Sequence, residues 1–141
     1  MSVDLATRLE LLVSELESMY PNRRVSTDAY LVNEPKIEEL RRGLYSVVST
    51  TGRDYRSTIT RAVDTGKHGV MIIGRFELSK HATGSDVQDE ELRMLSEIKA
   101  LLNRSDLPEE LTGGELISWS QSAQVEVPAG WIVFQLTFLE A

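Results

Sequence analysis

The chain has 141 residues, 15 basic against 22 acidic, a formal charge of −7 and no cysteine, a length suited to one domain that hides roughly two thirds of its unfolded surface without disulfide or metal. The missing cysteines exclude a disulfide framework, a thiolate metal site and a cysteine nucleophile, and a pI near 4.9 argues against generic nucleic-acid binding, which depends on attraction to phosphate. No apolar run approaches the roughly 20 residues of a membrane span, and the opening MSVDLATRLE lacks the basic-then-apolar order of a secretory signal, so a cytoplasmic or assembled-particle setting is expected.

Leu5, Leu9, Leu12, Leu16 and Met19 recur at spacings of four and three, which predicts an amphipathic helix over about 3–20. Ser2 or Asp4 can cap it, Pro21 stops it, and Arg8, Glu10, Glu15 and Glu17 take the rest of the wheel. Each buried member contributes roughly 1.5–3 kcal/mol, enough to seat the helix on a sheet. A short strand is expected within 25–32 and a turn or two of helix over 36–42.

A meander follows, with strands over 44–51, 56–63 and from Val70 to Leu78. Asp64, Thr65, Gly66 and Lys67 supply the turn between the last two. In the third strand Val70, Ile72, Phe76 and Leu78 share a face, and Gly74 interrupts it, predicting a bulge or close packing. A second helix over about 86–103 opens with Ser85 and Gln88 at capping-box spacing and with Asp86, Asp89, Glu90 and Glu91 as dipole-matched charge on a solvated face. A closing hairpin is expected from 115–127 and 131–139 around Pro128, Ala129 and Gly130. Strands grouped in hairpins between helices predict a single α+β domain spanning 1–141, its mainly antiparallel sheet packed on one face by two helices.

The search for chemistry returns no motif. His68 and His81 fall at a turn and a loop edge with no ligand spacing, and read as surface residues. The run Thr65, Gly66, Lys67, His68, Gly69 fails the Walker pattern twice, at Arg61 and at His68, and reads as a hairpin turn. Ser118, Ser120 and Ser122 alternate along a strand with no elbow glycines, as the exposed face of a sheet or a covered edge. No catalytic, cofactor or metal residue is predicted, and no enzyme activity is expected.

Two features remain. Arg53, Arg56, Arg61 and Lys67 form a basic cluster in the one segment with a positive balance: residues 41–81 hold 8 basic and 3 acidic side chains, whereas 1–40 and 82–110 hold 4 against 8 and 3 against 8. Such segregation either builds faces of opposite sign or intermixes on folding. Trp119, Trp131, Tyr45 and Tyr55 stand among small hydroxyls on a mixed sheet face, the amphipathic aromatics of an interface or of a core.

The whole arrangement resembles the tail terminator proteins of long-tailed bacteriophages. The likeness is carried by the opening helix, by 40–48 leading into a strand pair, by 69–78, by the acidic helix and by the final strand 130–138. The resemblance implies a structural virion protein: a hexameric ring that caps the tail tube, stops its polymerisation and offers a joining surface to the head-tail connector. It further implies partners in a second copy of itself, the tube protein and the neck. DNA would be passing cargo through a lumen with few fixed cations, and no membrane or cofactor would be involved. A head-tail completion or neck protein and a monomeric protein-binding adaptor are the alternatives. Arg53, Arg56, Arg61 and Lys67 are the expected protein-interface residues.

Overall fold

The structure, a computed structural model, describes residues 4–28, 36–56 and 65–140, with the side chains of 53–56, 65 and 140 outside the description. Element order is α1 (Leu5–Met19), β1 (Arg24–Ser26), α2 (Ile37–Arg42), β2 (Leu44–Arg56), β3 (Thr65–Glu77), α3 (Gly84–Leu102), β4 (Glu115–Gln121) and β5 (Ala129–Glu140). The five strands form one sheet in the order β1-β2-β3-β5-β4, antiparallel throughout except for the parallel β1–β2 pair. This is the expected α+β architecture, with α2 as a third, short helix.

The helices begin where side chains replace missing backbone partners. Asp4 caps α1, accepting from the Ala6 amide at 3.1 Å and the Thr7 hydroxyl at 2.9 Å. Thr83, and not Ser85, caps α3: its hydroxyl accepts from the Asp86 amide while the Asp86 carboxylate accepts from the Thr83 amide. Hydrogen bonding to the Thr83 amide, and then to the Thr83 side chain, holds the exposed Asp86 carboxyl below its ordinary range.

One sheet face carries Tyr45 and Val47 from β2, Val70, Ile72 and Phe76 from β3, and Ile132, Phe134, Leu136 and Phe138 from β5. Leu12 and Leu16 of α1 and Val87, Met94, Leu95 and Ile98 of α3 close on it as a single core. Close packing accounts for Gly74, where a Cβ would stand 2.8 Å from the Met94 sulfur. No register shift occurs there; the irregularities lie in β2, between Ser49 and Thr51 and between Arg53 and Arg56, and in β4, between Leu116 and Ser118. The opposite face presents Val48, Met71, Ile73, Val133 and Gln135, each partly exposed.

Several boundaries depart from the sequence reading. Only 24–26 of the early strand is seen, and 29–35 lies outside the described residues. Of the expected three-strand meander, the first and third strands are seen as the 13-residue β2 and β3, paired with each other, and the middle strand over 56–63 lies, apart from Arg56, outside the described residues. Residues 65–69, read as a turn, are ladder residues of β3, because Gly66 through Gly69 pair with Glu140 through Thr137 of β5. The long pairing partner outweighs the local turn chemistry. β4 ends at Gln121, and 122–127, read as its continuation, is a loop with Ala123 and Gln124 at φ 57 and 62.

Candidate interaction surface

The hairpin register sets Arg53 opposite Lys67 and Arg56 opposite Thr65, so the fold draws three of the four predicted cations to one end of the hairpin. Lys67 is exposed, and Arg61 lies outside the described residues. The aromatic set does not form one face. Tyr45 is fully buried, its hydroxyl donating to Glu97 Oε1 at 2.7 Å, and burial followed by the Glu97 charge pushes its pKa well up. Trp131 is partly buried opposite Arg75, whereas Trp119 stands opposite Phe134 and so takes the helix-side face. Tyr55 lies in β2, its side chain outside the description.

Residues read as solvated prove to be buried polar anchors. Arg8 donates from Nε to the Glu110 carbonyl at 2.8 Å, from Nη2 to the Leu139 carbonyl at 3.1 Å and from Nη1 toward His68 Nδ1 at 3.0 Å, with its guanidinium 5.0 Å from the Phe138 ring centre. His68 is correspondingly buried, a correction to its expected surface position. Ser49 Oγ lies 2.8 Å from His68 Nε2, a serine–histidine pair at catalytic distance. A general base needs a vacant Nε2. Here the Arg8 N–H occupies Nδ1, so Nε2 holds the proton and donates it to Ser49. Burial and then the Arg8 charge lower the His68 pKa, which keeps the ring neutral and the pair in that orientation.

Glu91, expected on a solvated face, is buried. Its carboxylate accepts from Gln121 Nε2 at 3.1 Å, from the Trp131 amide at 3.3 Å and from the Ser122 hydroxyl. Ser122 is thus buried while Ser118 and Ser120 are exposed; the strand ends before it. Together these bonds fasten the β4–β5 loop to α3. Asp89 alone of the 89–91 run is fully exposed, because Glu90 pairs with Arg23 Nη1 at 2.7 Å.

Arg23 is the centre of a third cluster. It donates to Glu97 through Nε at 3.0 Å and Nη2 at 2.8 Å, and to the Arg42 carbonyl through Nη1 at 3.2 Å. The pair walls a groove of about 750 Å³ between the end of α1, α2, the end of β3 and α3. Met19, Tyr20, Phe76 and Leu78 line it, and Arg41, Arg42 and Arg93 join Arg23 there against only Glu90 and Glu97. Arg41 is exposed and has no carboxylate partner among the described residues. The only hint of the cluster in the sequence is that Glu90 and Glu97, seven apart, share a helix face.

Among the described residues the sheet has two edges that no other strand covers in full. β4 is an outer strand along its whole length, with Ile117 54% and Trp119 43% exposed. On the other side β1 covers β2 only at Leu44, Tyr45 and Ser46, so no described strand pairs with the outer edge of β2 from Val47 onward. Among the described residues no group of three His, Asp or Glu side chains could hold a metal ion, and no helix is long and apolar enough to cross a membrane. No protein-family model matches the chain, and no curated protein matches its sequence.

Proposed function

We propose that this protein is a structural subunit that closes into a ring, acting as a phage tail terminator: the ring occupies the growing end of the tail tube, blocks the next tube subunit and presents a joining surface to the head-side neck. The observation that carries the ring is the pair of edges, on opposite sides of one sheet, that no described strand covers in full. A strand edge is a row of unpaired amides and carbonyls that a second chain can complete. Two different edges on one subunit allow head-to-tail contact, which closes when the rotation per copy divides a full turn. Ile117 and Trp119 on β4 supply apolar and aromatic surface of the kind enriched in interface centres. A standard contact would cover about 800 Å² on each partner.

The terminator assignment draws on the resemblance of 40–48, 69–78 and 130–138; the Arg53, Arg56, Arg61 and Lys67 hairpin is then the surface toward the tube. Two substitutions separate the steps. Ile117→Lys with Trp119→Lys places charge on the edge strand and should yield single subunits. Reversing Arg56 and Arg61 to Glu should leave the ring intact but give overlong or unbound tails. Normal tails from the second variant would remove the terminator assignment.

A further inference from the structure

We infer that the 122–128 loop of one copy inserts into the arginine-lined groove of the next, with Val125 and Val127 on the apolar floor and Glu126 against Arg41 and Arg93. This rests on the ring reading above and names the contact that would hold it. The loop carries an unusual pattern: Val125 is 73% exposed and Val127 39%, flanking an exposed carboxylate. Exposed valines on a loop waste apolar surface unless something covers them.

The loop is nonetheless held in shape. The Ala129 amide donates to the Glu126 carbonyl at 2.8 Å, the Val125 amide to the Ser122 carbonyl at 3.3 Å, and Gln124 Nε2 to Gln88 Oε1 at 2.9 Å. Ser122 and Gln121 tie its base to the buried Glu91. A loop ordered in advance loses little freedom on docking.

The groove offers the complementary chemistry. Four guanidinium groups and two carboxylates line it, with Arg23 paired to both carboxylates and Arg93 sharing Glu90, a surplus of two positive charges in a chain of net −7. Its floor is Met19, Phe76 and Leu78, and its 750 Å³ falls within the roughly 300–1,000 Å³ of sites that enclose a small ligand. Position agrees as well. The Leu78 amide donates to the Pro128 carbonyl at 3.0 Å and Glu77 pairs with Ala129, so the loop and the groove lie at the same end of the sheet. The loop rises on the β4 side and the groove on the β1–β2 side. A contact that sets β4 of one copy beside β2 of the next carries the one toward the other, with opposite charges meeting.

The test uses Glu126→Arg and Arg41→Glu, both at exposed positions, read by native mass spectrometry. Either variant alone should weaken the contact on the order of a hundredfold and appear as single subunits. Mixed together they should form assemblies in which the two variants alternate in equal number, because the native loop meets the native groove at one contact and the reversed loop meets the reversed groove at the next, and those assemblies also show that both are folded. Both changes in one chain should restore the ring. Rings of wild-type size from each single variant would overturn the inference and leave the ring reading standing. A wild-type protein that stays a single subunit would overturn both.

Discussion

Replacing Arg23 with methionine keeps the unbranched apolar stem of the side chain and removes the guanidinium from between Glu90 and Glu97. Arg23 is 8% exposed and its partners 12% and 13%, so both carboxylates would lose their shared cation with little water to replace it, Glu90 keeping only Arg93 and Glu97 the Tyr45 hydroxyl. Breaking a buried ion pair from one side costs roughly 3–5 kcal/mol; because the groove opens to solvent, the lower end applies, about 3 kcal/mol. With an unfolding entropy of about 0.3 kcal/mol per kelvin for a chain of 141 residues, the melting temperature should fall by roughly 10 °C. Thermal unfolding followed by circular dichroism at pH 7 reads this directly. Adding Glu90→Gln and Glu97→Gln should recover most of the loss, since the residual cost is the stranded charge and not the missing contact. A melting temperature within about 2 °C of wild type for Arg23→Met would refute the idea that this cluster is a desolvated hub.

Two further predictions follow from the core. The His68 pKa is lowered in the folded protein, so as pH falls through the ordinary value of about 6.5 the unfolded chain takes up the proton first; the stabilisation present above that pH is lost below it. Melting temperatures between pH 7.5 and pH 5.5 should therefore fall more steeply for wild type than for His68→Gln, and parallel curves would contradict the Arg8–His68–Ser49 arrangement. Gly130→Ala would set a Cβ 2.5 Å from Phe76 Cζ, 2.7 Å from Val87 Cγ1 and 2.9 Å from Glu91 Oε2. Urea unfolding should show a loss of roughly 1–3 kcal/mol from overpacking, whereas unchanged stability would mean that the β5–α3 contact is looser than drawn.

Local pattern carried the elements whose burial is one-sided. The Leu12, Leu16 stripe, the α3 stripe and the alternation of Ile132, Phe134, Leu136 and Phe138 each announce a face, and those faces meet in the core. The hairpin of β2 and β3 was harder to read, because Asp64 and Gly66 signal a turn locally while the register with β5 keeps 66–69 extended. The alternation of Val125, Glu126 and Val127 likewise imitates a strand on a segment that is a loop.

The polar clusters were illegible for a different reason. Arg8 meets His68, Arg23 meets Glu97 and Glu91 meets Ser122 across long separations in the chain. A charged residue on a helix wheel is assigned to solvent unless a partner is known, and no local spacing reveals such a partner. Of the predicted basic cluster, the register recovers the neighbourhood of Arg53 and Lys67, while the arginine groove arises from α1, α2 and α3 and has no counterpart in any one segment.

The central claim is that this fold associates with copies of itself through two unlike edges. Native mass spectrometry of the purified wild-type chain across a concentration series, with negative-stain images of the same sample, tests it most directly. One closed species of fixed copy number, seen as rings, is the predicted result; a single subunit at every concentration, or an open-ended ladder of sizes, would contradict it.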